Sequence, residues 1–207
     1  MPRRPIPLVA GTHYHIFNRG NNRQAVFFER ENYLFFLDRM REYLVEMIPG
    51  PQGSDAGQIT ATTIVSYCLM PNHFHLLVCP NDGELSNRMQ RLSISYTKAI
   101  NKRYRRVGTL FQGPFQAIPV QTEEYLLHLS RYQHLNPVFA GLVQRAEDWE
   151  FSSYRDYLGL RQGNLVQPEV VLSQFPSRRA YQEFTEAYRP VDGKKIAQLE
   201  MSPSAFT

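Results

Sequence analysis

Hydrophobic and polar positions follow two periods along this chain, and each change of period marks a predicted element. Residues 12–18 are rich in aromatic and β-branched side chains and predict a first strand. From Glu29 onward apolar residues recur every three or four positions, which predicts a helix with one buried stripe, namely Tyr33, Phe36, Leu37, Met40, Leu44 and Met47. Proline and glycine in residues 49–54 predict the end of this helix and a flexible loop.

Two apolar runs follow, over residues 66–70 and 73–78, and Pro71 and Asn72 join them. This dipeptide favours a tight turn, so the two runs predict a hairpin. A second helix is predicted over residues 85–104, because apolar and basic residues each recur at helical spacing on different faces. A short strand follows at 115–120, with Pro119 expected on an unpaired side or at a bulge because it lacks an N–H.

A third helix is predicted after Thr122, a good N-cap, since Glu123 and Glu124 then lie in its first turn, where the helix dipole favours acids. It is expected to end near Asn136, because Pro137 disfavours helical geometry in the residue before it. The order of elements fits an α+β fold, a ferredoxin-like split βαβ antiparallel sheet with helices on one face. We expect the strand at 73–78 to be central or near-central and the helix-free face of the sheet to be open to a ligand.

Length and composition predict one main domain, over residues 1–146, and a small helical C-terminal appendage over residues 147–207. Within the appendage we expect short helices around 170–172 and 181–188, and a disordered tail from Pro190. No apolar run approaches the ~18 residues of a membrane span, and the N-terminus lacks a secretory signal. Only two cysteines occur, which is typical of a chain in the reducing cytoplasm.

The charge of the chain is unevenly distributed. Net charge is +4, yet residues 85–122 contain no Asp or Glu and hold seven basic residues, Arg88, Arg91, Lys98, Lys102, Arg103, Arg105 and Arg106. A local positive field of this kind attracts a polyanion, and we interpret it as a nucleic-acid surface rather than an ordinary solvated helix.

His73 and His75 form a His-x-His pair on the second strand of the predicted hairpin. Side chains alternate along a strand, so both imidazoles point to one face and Phe74 points to the other. Two such imidazoles can share a cation, although an isolated pair is also common as a structural or exposed feature. A second pair, His13 and His15, begins the first strand. One cation does not need four imidazoles, so we interpret this pair as structural.

Tyr132 and Asn136 are four residues apart on the third helix and therefore share a face. An amide oxygen from Asn136 would complete a site of two imidazoles and one oxygen, which suits Mg²⁺ or Mn²⁺, whereas imidazoles also suit Zn²⁺. Beside such a cation Tyr132 could attack a phosphate and form a covalent link. The alternative is a tyrosine that simply packs against the sheet, since the chain contains twelve tyrosines.

Four stretches, at 14–23, 70–77, 110–113 and 132–138, resemble in their order the REP-associated tyrosine transposases, a single-tyrosine HUH branch of insertion-sequence transposases. The resemblance spans about residues 10 to 160. It implies a ferredoxin-like nuclease with His73 and His75 as the HUH pair, Tyr132 as nucleophile and Asn136 as amide ligand. It also implies cutting and joining of single-stranded DNA near short palindromes, through a 5′-phosphotyrosine and a free 3′-OH. Pro114 stands where many relatives carry a basic residue, and Asn136 where more mobile ones carry Gln.

The sequence therefore predicts a metal-dependent endonuclease and strand transferase acting on single-stranded hairpin DNA, as a monomer or a homodimer. Phosphate contacts are expected from Arg19, Arg23, Arg88, Arg91, Lys98, Lys102 and Arg105. One alternative is a domesticated protein that binds hairpin DNA or RNA without cutting. Another is an RNA-binding module that stacks bases on aromatics of the same sheet, which would leave the His pair unexplained.

Overall fold

The computed structural model describes residues 8–50 and 57–188. Its strands are β1 His13–Arg19, β2 Met47–Pro49, β3 Gln58–Thr60, β4 Thr62–Met70, β5 His73–Pro80 and β6 Gln116–Val120. Four of them form an antiparallel sheet in the order β4-β5-β1-β6. The histidine-bearing strand β5 is central, as predicted. The proline-containing strand β6 lies at the edge, where a missing N–H is tolerated.

Helices α1 (Arg30–Leu44) and α2 (Leu85–Arg103) pack on one face of this sheet. Phe74 on β5 meets Phe36 on α1, with their ring centroids 5.1 Å apart. Tyr96 on α2 is fully buried, and its hydroxyl donates a hydrogen bond to the carbonyl oxygen of Val26. This layer confirms the predicted α+β arrangement, because the alternating side chains of β5 turn their apolar members toward the two helices.

Helix α3 (Glu123–Phe139) lies on the opposite face, so the prediction of an uncovered face is wrong. Leu129 and Tyr132 of α3 share a buried apolar cluster with Leu77 of β5. A buried hydrogen bond of 2.7 Å also links Ser66 Oγ to Gln133 Oε1. Val65 and Leu77 point away from α1 and α2. The folded protein gains stability when α3 removes their apolar surface from water, and this is why the face is covered.

The start of α3 agrees with the sequence prediction, whereas its end does not. Thr122 Oγ1 accepts a hydrogen bond from the backbone N–H of Tyr125 at 3.1 Å, which is the expected cap. The helix runs through Pro137 to Phe139 instead of ending near Asn136. Its last turn packs against the C-terminal part of the chain, where the ring centroids of Phe139 and Tyr188 are 6.1 Å apart. Tertiary packing therefore outweighs the local preference of proline.

The region after α1 holds a small hairpin, β2–β3, that the sequence pattern did not predict. Met47 was expected in the buried stripe of α1, but the helix ends at Leu44 and Met47 is 55% exposed on β2. Most of the predicted flexible loop, residues 51–54, lies outside the described residues.

The C-terminal part folds onto α3 and β4. Its helices are α4 (Tyr154–Tyr157), α5 (Glu169–Leu172) and α6 (Arg178–Glu186), so the short helices predicted near 170–172 and 181–188 are confirmed. The proposed boundary after residue 146 falls within a single 3-10 turn, Ala146–Asp148. The tail from Pro190 lies outside the described residues. Within those residues, no helix is long and apolar enough to cross a bilayer.

Candidate active site

His73 and His75 begin strand β5, directly after the tight turn from β4. Their rings lie 4.9 Å apart, centroid to centroid, at 83° to each other. Across the sheet, Arg19 of β1 is opposite His73, and Phe17 is opposite His75. Directly opposed residues share a face of the sheet, so these four side chains point toward α3.

Asn72 determines which nitrogen of His73 is available to a ligand. His73 Nδ1 lies 2.6 Å from Asn72 Oδ1. A carbonyl oxygen only accepts, so Nδ1 donates the proton and Nε2 keeps its lone pair. Burial and the charge of Arg19 lower the pKa of His73 to about 4, against the side chain of Asn136, which can accept a hydrogen bond from the protonated ring and raises the pKa. His73 is therefore a neutral imidazole at pH 7.

Asn136 presents its carbonyl oxygen to His73. The side chain of Asn136 interacts with His73 and raises its pKa, and Nδ2 is the atom of that amide without a bond to any described residue, so Oδ1 faces the ring. The buried Nδ2 atom, in turn, has no hydrogen-bond partner in the described part of the chain. A lone pair on His73 and an amide oxygen thus converge, which is the arrangement that two ligands adopt around a shared cation.

His75 is more deeply buried than His73, with 1% of its surface exposed. Burial lowers its pKa well below the ordinary value, and the neighbouring His73, His15 and Arg19 add to the effect. Its Nδ1 atom lies 2.9 Å from Nε2 of His15 on β1. His75 is therefore a second neutral imidazole beside His73.

Tyr132 lies on α3 directly over this pair. Its ring centroid is 5.8 Å from that of His75, at an angle of 73°, and its side chain is 5% exposed. Because α3 stays helical beyond Asn136, the amide lies one turn after Tyr132 on the same face of the helix. The structure thus brings together the four residues that the sequence singled out, Tyr132, His73, His75 and Asn136.

The donor set around the His pair fits a divalent cation. Two neutral imidazoles and an amide oxygen supply three ligands and leave positions for water or a phosphate oxygen. In residues 8–50 and 57–188, no group of three or more His, Cys, Asp or Glu side chains is placed to hold a metal ion, so the third donor of this candidate site is the amide oxygen. A set of two imidazoles and one amide oxygen, without a carboxylate, can bind Mg²⁺, Mn²⁺ or Zn²⁺.

Of the predicted phosphate contacts, Arg19 and Arg23 lie beside this site. Arg19 ends β1 opposite His73, and Arg23 closes a short 3-10 turn, Asn21–Arg23. That turn is tied to the hairpin, since Asn72 Nδ2 donates to the carbonyl oxygen of Arg23 at 3.2 Å. Two basic side chains are therefore held at the edge where β5 begins.

The other predicted contacts lie on or after α2, on the far face of the sheet from Tyr132. Arg91, Lys98, Lys102 and Arg105 are exposed there. Arg88 is not exposed, and its assignment to the DNA-facing surface is wrong. Its side chain is 6% exposed, and its guanidinium forms ion pairs with Asp82 at 2.5 Å and Glu46 at 2.7 Å. Its spacing along α2 matched the basic residues, but two acids from outside the helix neutralise it.

His15 lies beside this site, a position that sequence reasoning did not identify. The sequence marked it as a structural histidine of the first strand, and in the structure it is buried and bonds to His75. Strand parity could have found it, because antiparallel pairing of β1 with β5 puts His15, Phe17 and Arg19 on the face of His73 and His75. The sequence alone does not show which strand pairs with β1, and this pairing places His15 beside His75.

The described residues form a ferredoxin-like α+β fold in which a tyrosine on a helix lies over a His-x-His strand of the sheet. The family model for IS200-like transposases matches residues 8–134, more than half of the chain. The chain therefore belongs to the IS200-like transposase family.

Two relatives show which members of this family the chain resembles. A curated Haemophilus influenzae protein, whose name assigns it provisionally to the REP-associated tyrosine transposases, is 28% identical over 102 residues. The match covers 44% of this chain and 57% of that protein, so the chain spans little more than half of the relative's length. A solved structure of a REP-associated tyrosine transposase bound to a REP hairpin has a TM-score of 0.55 at 19% identity, covering 81% of this chain and 94% of that one. The resemblance drawn from the sequence motifs is thereby confirmed.

Proposed function

We propose that this chain is a metal-dependent endonuclease and strand transferase that acts on single-stranded DNA with REP-like hairpins. The observation that carries the proposal is the position of the Tyr132 ring, 5.8 Å from His75 and one helical turn before Asn136. A phenol, two neutral imidazoles and an amide oxygen meet there in one buried place. A tyrosine that only filled the core would not need two imidazoles and an amide oxygen beside it.

In the proposed cleavage step, the phenol oxygen of Tyr132 bonds to the phosphorus of a phosphodiester. The bond from phosphorus to the 3′ oxygen breaks, that oxygen takes up a proton, and the phenol proton is released. The products are a 5′-phosphotyrosine and a free 3′-OH. A 3′-OH of a joining strand then attacks the same phosphorus and releases Tyr132, so the strands are joined without an energy-rich co-substrate.

His73, His75 and Asn136 are the residues that would hold the cation. When bound, a divalent cation supplies Lewis-acid polarisation of the phosphate and stabilises the leaving oxygen. The protein's own part is to keep both imidazoles neutral by burial and to hold Asn136 on a stable helix. Arg19, whose charge acts on both histidines, adds positive charge where the phosphate would lie.

Hairpin DNA is proposed as the partner because a relative of the same fold is described as bound to a REP hairpin. The acid-free segment 85–122 adds a positive surface for the phosphates. Arg19 and Arg23 would contact the strand near the site, whereas Arg91, Lys98, Lys102 and Arg105 would contact a more distant part of the DNA.

The test is covalent capture of a hairpin oligonucleotide that carries its label at the 3′ end. With Mn²⁺, the wild-type protein should form a labelled adduct that survives a denaturing gel, and EDTA should abolish it. Tyr132→Phe should form no adduct and bind the hairpin with unchanged affinity, since the ring stays in place. Tyr125→Phe is the matched control, because Tyr125 is also buried on α3 and lies two turns earlier.

An adduct that persists in Tyr132→Phe would assign the nucleophile elsewhere. His73→Ala should likewise lose cleavage and keep salt-sensitive binding. If the His73→Ala protein still cleaves, the ligand assignment is wrong even where the nucleophile is right.

A protein that binds hairpin DNA without cutting it is the second candidate. The burial of the site favours it, since α3 covers the face of the sheet and leaves Tyr132 only 5% exposed. The capture experiment separates the two candidates, because a non-cleaving protein binds the hairpin and gives no adduct at any metal concentration.

A further inference from the structure

Two histidines from neighbouring strands share a hydrogen bond beneath the candidate active site. His15 Nε2 and His75 Nδ1 are 2.9 Å apart, and both side chains are almost completely buried. Their rings stack with centroids 5.1 Å apart and planes at 25°. The first His-x-His motif of the sequence thus contributes one member to the surroundings of the second.

The rings are held from the sides as well. The ring centroid of Phe17 lies 4.9 Å from that of His15 and 6.1 Å from that of His75. The Tyr132 ring is edge-on to His75, with the centroids 5.8 Å apart. Both histidines project from paired strands in the middle of the sheet. Neither imidazole can turn over without displacing an aromatic neighbour, so their nitrogen atoms keep their places.

The shared hydrogen bond has two states, because only one of the two nitrogens, 2.9 Å apart, can carry the bridging proton. In the first state His75 Nδ1 donates, and His75 Nε2 keeps a lone pair. In the second state His15 Nε2 donates, and His75 Nε2 carries the proton. Only the first state leaves His75 able to bind a cation through Nε2.

The first state has a cost at the other nitrogen of His15. If Nε2 of His15 accepts, Nδ1 carries the proton, and this buried atom finds no hydrogen-bond partner among the residues described. Leaving such a group unpaired costs free energy. A cation bound at Nε2 of His75 would keep the proton off that atom, and would thereby select the first state and offset this cost.

We propose that His15 is a positioning residue that accepts the Nδ1 proton of His75, fixes its ring, and leaves Nε2 of His75 available to a divalent cation. The inference rests on the proposed function, in which His75 is a ligand. It assigns to a β1 residue the part that a carboxylate or carbonyl oxygen commonly plays behind a metal-bound histidine.

The first measurement is the affinity for Mn²⁺ in the absence of DNA, determined by EPR. His15→Leu removes the acceptor at similar volume and should weaken Mn²⁺ binding about 10- to 100-fold, the usual effect of losing such a partner. His15→Gln keeps an acceptor oxygen and should bind Mn²⁺ within about threefold of wild type by the same reasoning. His13→Leu is the matched control, since His13 is half-buried on the same strand two residues away, and its affinity should not change.

The second measurement is the tautomer of His75, read from ¹⁵N imidazole NMR in the presence of Mg²⁺. The wild-type protein should show a proton on Nδ1, and His15→Leu should show a mixture. Circular dichroism establishes that each variant is folded. If His15→Leu fails to fold, His15→Gln and the wild-type NMR spectrum still decide the matter.

The outcomes separate this inference from the proposed function. If His75→Ala abolishes Mn²⁺ binding and a folded His15→Leu binds as wild type does, the role of His15 is refuted and the metal site stands. A proton on Nε2 of His75 in the Mg²⁺-loaded wild type would also refute it. If His73→Ala and His75→Ala both bind Mn²⁺ as wild type does, the metal site itself is misassigned and both proposals fail.

Discussion

His134 connects the helix that carries Tyr132 to the C-terminal part of the chain, and it makes this connection sensitive to acid. Its Nδ1 lies 2.8 Å from the hydroxyl of Tyr181 on α6, and its Nε2 lies 2.9 Å from Ser153 Oγ, just before α4. The side chain is fully buried. Burial and, to a smaller extent, the charge of Arg161 lower the pKa of His134 to about 3.

The magnitude follows from the difference between folded and unfolded states. An unfolded histidine has a pKa of about 6.5. Since the folded-state pKa is lower, the unfolded chain takes up the proton first as pH falls, and stability is lost from about pH 6.5 down to about pH 3. At pH 5 the unfolded state is protonated and the folded state is not, so His134 alone removes about 2 kcal/mol relative to neutral pH.

The assay is urea unfolding of the wild type and of His134→Gln at pH 7, 6 and 5. The amide keeps a donor and an acceptor for Tyr181 and Ser153 but does not titrate. We expect His134→Gln to be somewhat less stable at pH 7 and to lose about 2 kcal/mol less than wild type between pH 7 and pH 5. His13→Gln, at a half-exposed position, should change that loss much less. Equal losses in wild type and His134→Gln would refute the reasoning.

Three further perturbations test the surroundings of the site. Arg88→Met should lower the free energy of unfolding by about 2 kcal/mol, because Asp82 and Glu46 lose their shared partner, and should leave the salt dependence of DNA binding unchanged. A steeper or flatter salt dependence would return Arg88 to the DNA surface. Gly20→Ala should destabilise the turn that holds Arg23 and weaken hairpin binding in a gel-shift titration, since a Cβ there would collide with the carbonyl oxygen of Gln24. Unchanged binding would exclude the turn from the interface. Replacing Lys98 and Lys102 together by Gln should flatten the salt dependence of single-strand binding by about 0.7 per lost contact. An unchanged slope, with the exposed Arg179→Gln as control, would place the DNA away from α2.

Features set by neighbouring residues could be predicted from the sequence. The Thr122 cap and the Tyr132–Asn136 spacing depend only on helix geometry, and the shared side of His73 and His75 depends only on the alternation of a strand. These are local relations, because each is fixed by the rise and period of one element. They were sufficient to identify the candidate site, and together with the order of the motifs they indicated the family.

Tertiary structure decided which faces meet. Sequence spacing put Arg88 with the basic residues of α2, but Glu46, 42 positions earlier, forms a partly buried ion pair with it. Pro137 lacks an N–H, yet packing of the last turn keeps α3 helical through it. His15 and His75, 60 positions apart, meet only because β1 pairs with β5 in one register. Contacts of this kind depend on how several elements bury their surfaces together, and the period of any single element carries no record of its partners.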